Sequence, residues 1–111
     1  VDVSFISLEK VIPFIKNYIS SETDVVCPVK PQFEIGKTNK GIVRDKKDHL
    51  AVLRKVASFI EKENLFVAGA DFSPVKGGDG NTEFLFYIKS FDTGYSPDFK
   101  SLVEKARTAG R

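Results

Sequence analysis

Three charged side chains stand at the ends of apolar runs: Asp2, Lys30 and Glu83. Lys30 follows DVVCPV and begins the stretch KPQFE, Asp2 begins DVSFISL, and Glu83 comes just after a Gly-Asn pair at the start of a second apolar run. An ammonium group at the tip of a buried strand is either a solvated exit or an amine that the sheet holds in a cleft. If the three ends converge, two carboxylates and an amine share one pocket, a set suited to handling a proton. If they do not, each is an ordinary solvated charge at a strand end, and residue pattern leaves both readings open.

The remaining reactive residue types point to no chemistry of their own. His49 is the sole histidine and sits among charged residues early in a helix, which reads as a surface position. Cys27 lies in an apolar run with no histidine near it in sequence, so it reads as a small core residue rather than a nucleophile. The glycine-rich segment 77–81 joins strand to strand, whereas phosphate-binding glycine loops run from a strand into a helix, so it reads as a turn. No metal site is expected.

Positioning these groups falls to a short series of elements. Residues 1–6 look like the end of a strand, with Ser7 as an N-cap for a helix carrying Leu8, Val11, Ile12, Ile15 and Ile19. Pro13 inside that pattern predicts a kink or a later start. Residues 23–30 read as a strand buried on both faces. Residues 31–44 show no period and read as a long loop. Asp45 or Asp48 then caps a helix whose stripe, Leu50, Leu53, Val56, Ala57 and Ile60, faces the sheet. Residues 65–73 and 82–90 are two strands linked by a turn-rich connection too short for a crossover helix, hence an antiparallel pair. Ser96 and Pro97 suit the start of a last helix with Phe99, Leu102, Val103 and Ala106 inward. The order β-α-β-α-β-β-α predicts an α/β fold of parallel units closed by an antiparallel hairpin, half of a mixed sheet with Lys30 at the carboxyl end of a strand, where ligands sit in such folds.

Composition limits the rest. A chain of 111 residues, 41% hydrophobic and 29% charged, makes at most one globular domain. Its apolar runs are too short to cross a bilayer, no signal-peptide layout opens it, and its one cysteine has no partner within the chain, so cytoplasmic residence is the default expectation. It begins at Val1 and contains no methionine, which reads as a piece of something longer. The net charge of +2 is modest, but residues 36–55 carry Lys37, Lys40, Arg44, Lys46, Lys47, Arg54 and Lys55 against only Asp45 and Asp48. By composition that is a solvated helix face behind a lysine-rich loop.

DVSFISL (2–8), VKPQFEIGK (29–37), GIVRD (41–45) and SPVKGGDGNTEF (73–84) together resemble the TlyA family, also described as hemolysin A, over nearly the whole chain. The resemblance implies the C-terminal half of a Rossmann-like class I methyltransferase sheet. Residues 1–111 would be the C-terminal portion of an FtsJ-like methyltransferase domain, with an S4 RNA-binding domain and the cofactor-binding half outside this sequence. It further implies S-adenosylmethionine-dependent methylation of ribose 2′-hydroxyls, with ribosomal RNA or a ribosomal subunit as partner and no stable membrane insertion. Of that family's Lys-Asp-Lys-Glu tetrad, the resemblance maps the aspartate to Asp2, which would also lie near the cofactor's sulfonium, the second lysine to Lys30 and the glutamate to Glu83. The first lysine would precede Val1.

The implied chemistry makes demands on its base. A hydroxyl oxygen attacking a methyl group in line is helped by a positioned proton acceptor. A free lysine amine, with a pKa of about 10.4, is neutral to only about 0.04% at pH 7, so its charged form must be disfavoured before it can serve. Asp2 and Glu83 favour that charged form, which suits them better to aiming the amine. Lys37, Lys40 and Arg44, just beyond Lys30, would grip phosphates flanking the target nucleotide. Two other readings compete: a membrane-active hemolysin, which requires an apolar span or a strongly amphipathic surface helix, and a non-catalytic RNA-binding or structural module with the same fold.

Overall fold

The computed structural model describes residues 8–23, 25–35, 42–76 and 80–109. The expected strand over residues 1–6, the Ser7 cap and Asp2 lie outside them, as do Lys37, Lys40 and the GGD of the turn. Along the chain come α1 (Leu8–Ile15), a 3-10 turn (Lys16–Tyr18), β1 (Val25–Val29), α2 (Pro31–Glu34), α3 (Lys46–Lys62), β2 (Phe66–Phe72), β3 (Phe84–Lys89) and α4 (Phe99–Ala109).

Local chemistry sets the helix ends. Asp45 is the N-cap of α3, its side chain accepting from the Lys47 N–H at 2.9 Å. At the other end Asn64 takes φ +59°, the Asn64 N–H reaches the Glu61 carbonyl and the Leu65 N–H reaches the Ile60 carbonyl. Those two bonds form a Schellman motif, closed by the buried pair Leu65 and Ile60. The last helix starts later than Ser96 and Pro97 suggest. Asp98 caps it, its carboxylate accepting from the Ser101 N–H at 3.1 Å and its carbonyl from the Leu102 N–H at 3.1 Å, because an aspartate placed directly before Phe99 satisfies donors that Ser96 is too far back to reach.

The sheet overturns the expected topology. Its strand order is β1-β3-β2, and both ladders, β1 with β3 and β3 with β2, are antiparallel. No described strands pair in parallel, so this is a three-stranded antiparallel sheet with helices and not a Rossmann-like half sheet. The antiparallel pairing of β2 with β3 is as the turn-rich connection predicts. What fails is the expected parallel pairing: β1 and β2 run in the same direction, as strands joined through a helix do, but β3 returns between them and takes the hydrogen bonds of both.

Alternation in β3 sends Phe84, Phe86 and Ile88 to one face, where they are fully buried with Cys27 and Val29 of β1. Leu8 and Ile12 of α1, the α3 stripe of Val52, Leu53, Val56 and Ile60, and Leu102, Val103 and Ala106 of α4 complete this core. Phe99 stacks on Phe86 at 5.6 Å. The opposite face is thinly covered: Val26 is 39% and Tyr87 44% exposed. β1 is therefore buried on one face, not two, among the described residues.

Candidate functional site

Lys30 leaves β1 in extended backbone and is the N-cap of α2, with Pro31 at the first helical position. Proline suits that place because its missing N–H would have no helical partner, and it ends the strand. The one-turn helix replaces the start of the long loop expected over 31–44, and it is anchored twice. The Glu34 carboxylate is buried and accepts from the Leu8 N–H at 2.9 and 3.2 Å, so a negative charge sits on the N-terminal turn of α1. Lys55 of α3 donates to the Glu34 carbonyl. KPQFE thus holds Lys30 against two helices.

Glu83 lies immediately before β3. The final pair of the β1–β3 ladder is Val29 with Phe84, and Phe84 also pairs with Phe72 of β2. Lys30 and Glu83 therefore flank the same pair from the two strands, one step beyond it in register. The ladder geometry carries through that step, since Lys30 is still extended and the Ser73 N–H donates to the Glu83 carbonyl at 2.8 Å. Val29 and Phe84 point into the core, so strand alternation directs the next residue on each strand to the opposite, open face. Of the three residues predicted to meet, the described structure brings Lys30 and Glu83 to one end of the sheet, and Asp2 lies outside the described residues.

A second layer braces this end. Asn81 is 1% exposed and its Oδ1 accepts from the Val43 N–H at 2.8 Å. The Val43 carbonyl accepts from His49 Nε2 at 2.8 Å, and the His49 ring meets Phe84 edge-on at 5.6 Å. Burial, helped by the nearby Arg107 guanidinium, pushes the His49 pKa below its ordinary value, although the Val43 bond opposes the shift. The surface assignment of His49 is thus wrong: at 6% exposure it belongs to the core side of α3. The signal was present in sequence, because His49, Leu53, Val56 and Ile60 follow one helical stripe.

Arg44 is exposed directly after this clamp, the sole member of the expected phosphate-gripping trio among the described residues. Cys27 is a buried core residue, its thiol pushed up to about 11 chiefly by burial, which suppresses thiolate chemistry. No group of described acids, histidines and cysteines is arranged to hold a metal ion, and no described helix is long and apolar enough to cross a membrane.

The fold, an antiparallel sheet backed by helices, is shared with solved structures of known proteins. The chain superposes with a TM-score of 0.88 and 38% identity on a solved structure of a protein described as a hemolysin from Streptococcus thermophilus, covering 97% of this chain and 41% of that one. In sequence it is 45% identical over 91 residues to the Bacillus subtilis protein named as the rRNA methyltransferase YqxC. It is 34% identical over 92 residues to the Mycobacterium tuberculosis 16S/23S rRNA (cytidine-2′-O)-methyltransferase TlyA. These alignments cover 79% and 80% of this chain, which spans only 32% and 34% of the two relatives. No protein-family model matches. The chain belongs to the TlyA, or hemolysin A, family, whose named relatives include rRNA methyltransferases.

Proposed function

We propose that this chain is the C-terminal portion of the methyltransferase domain of a cytoplasmic enzyme that transfers a methyl group from S-adenosylmethionine to a ribose 2′-hydroxyl of ribosomal RNA. The observation that carries the reading is the juxtaposition of Lys30 and Glu83 around the Val29–Phe84 pair, on a framework shared with relatives named for this reaction. S-adenosylmethionine, when bound, supplies an electrophilic methyl group. This chain contributes the acceptor chemistry: the amine of Lys30, in its neutral form, takes the hydroxyl proton, or as an ammonium polarises the hydroxyl, as the ribose oxygen bonds to the methyl carbon and the carbon–sulfur bond breaks with its electron pair left on sulfur, and Glu83 orients that amine. By the family resemblance, Asp2 would complete the set on the side of the cofactor. The double anchoring of α2 through Glu34 suits the role, because a base works only within hydrogen-bond reach of its proton. Arg44, with Lys37 and Lys40, holds phosphates around the target nucleotide.

The test is Lys30→Ala in the full-length protein, read by methyl transfer to ribosomal RNA and, separately, by calorimetric titration with S-adenosylmethionine. Transfer is expected to fall by at least about 100-fold, the low end of the contribution of a positioned proton acceptor, while cofactor affinity stays within about threefold. Near-normal transfer by Lys30→Ala refutes the assignment.

A further inference from the structure

Around the end of the sheet from Glu83 lies a cavity of about 260 Å³ whose wall includes Arg44, Lys76, Gly80, Thr82 and Arg107. Its cations come from three separate places in the chain: the segment before α3, the segment after β2, and the last turn of α4. No acidic side chain lines it among the described residues, and Arg44, Lys76 and Arg107 form no ion pair there. The nearest acid on α4, Glu104, already bonds Lys46 at 2.5 Å. Arg107 donates to the Arg44 carbonyl, which fixes its guanidinium at the rim and leaves its other donors for a ligand. Gly80 turns the chain at φ +86°, with the space where a Cβ would stand closed by Ile42 at 3.2 Å, and Thr82 adds a hydroxyl to the wall. Three cations around a concavity that no described acid lines, with Glu104 of α4 acting on Arg107 only from outside it, raise the local positive potential and call for an anion.

We propose that this cavity binds a backbone phosphate of a single-stranded RNA, with Arg44, Lys76 and Arg107 as its charged donors. Guanidinium groups match phosphate oxygens in pairs, and a lysine adds a point charge. The choice of RNA over a free anion rests on the methyltransferase reading: Thr82 lines the cavity and the next residue is Glu83, so a strand that presents a ribose to Lys30 and Glu83 and passes around the end of the sheet can set one of its phosphates here. The contact secures the strand and is indifferent to base identity.

Fluorescently labelled single-stranded RNA oligonucleotides of two unrelated sequences are titrated into the protein across a range of salt concentrations, with methyl transfer followed in parallel. Lys76→Gln, whose native side chain makes no hydrogen bond among the described residues, and Arg107→Gln are each expected to weaken both oligonucleotides alike. Each should lower the slope of log affinity against log salt by roughly 0.7, the value for one phosphate contact on a single strand. The control, Lys10→Gln with Lys62→Gln, removes two exposed charges elsewhere and is expected to leave the slope nearly unchanged. Unchanged slopes in the cavity variants, or an equal fall in the control, overturn the proposal. So does saturable binding of inorganic phosphate that the oligonucleotides do not displace, which would mark a free-anion site. Failure of methyl transfer with the RNA result intact would sink the enzymatic reading and leave this site standing.

Discussion

Val43 is gripped at both of its backbone polar groups by side chains from elsewhere, Asn81 on its N–H and His49 on its carbonyl. A carbonyl can only accept, so His49 Nε2 carries a proton in this bond, which the neutral and the charged ring can both make. Burial and then Arg107 hold the folded-state pKa below the ordinary value, against the opposing effects of the Val43 bond and of Asp48 and Asp45. The sign follows from linkage: above about pH 6.5 His49 is neutral folded or unfolded, and below it the unfolded chain takes up a proton that the folded chain resists. His49 therefore stabilises the fold fully above about 6.5, and that stability drains away as pH falls through the folded-state pKa. Urea unfolding at pH 7.5 and 5.5 is expected to show a smaller pH-linked loss for His49→Gln than for the wild type; parallel losses would show that burial of His49 does not set the pH dependence. Neither half of the clamp was legible from residue type. A lone histidine among charges resembles a surface residue until the helical stripe is counted, and the bond from Asn81 to Val43 spans 38 positions.

At the scale of elements, α3 and the β2–β3 hairpin were readable because their signals are local: Asp45 or Asp48 as cap, an apolar stripe of period 3.6, alternation of period 2. The bulge in β2 was not. Val67 pairs with Ile88 and Gly69 with Tyr87, so Ala68 is an extra residue and the register slips by one. Gly69 marks the site: a Cβ built there lies 2.8 Å from Tyr87 Cδ2, closer than packed atoms tolerate. Gly69→Ala is expected to cost about 1–3 kcal/mol through overpacking, and most of that loss should vanish in a Tyr87→Ala background. A double-mutant cycle by thermal unfolding checks it, and additive costs would show that the clash is not with the ring. A glycine within a strand pattern announces a bulge or a close approach, but not which residue does the approaching.

At the scale of the whole molecule, the decisive feature is that among the described residues one face of the sheet carries the core. Phe86 is fully buried there and stacks on Phe99, whereas Phe14, also aromatic and also in an apolar-looking helix, is 72% exposed. Phe86→Ala is expected to destabilise the chain by about 3–5 kcal/mol, and Phe14→Ala to stay within about 0.5 kcal/mol. Comparable losses in urea unfolding would mean that Phe14 is buried in the folded chain. The open face, with Val26 and Tyr87 half exposed, is also the face to which alternation directs Lys30 and Glu83. The uncovered side of the sheet and the proposed catalytic side are thus the same.

The α3 and α4 helices, the hairpin and the placing of Lys30 and Glu83 at strand ends were set by the sequence alone, since each depends on neighbours within a few residues, whereas the one-turn helix α2 and the choice of Asp45 over Asp48 as cap were not. Family membership was legible for a related reason, being carried by short contiguous motifs. Strand order was decided only in three dimensions. β1 carries apolar residues on both of its faces and can pair with either β2 or β3, and nothing within its five residues ranks the two. The pairing that wins lets Phe84, Phe86 and Ile88 bury between β1 and β2 under the helices, a gain that exists only once all three strands and the helices are assembled. That same placement, and no local signal, brings residues 30 and 83 to one end of the sheet.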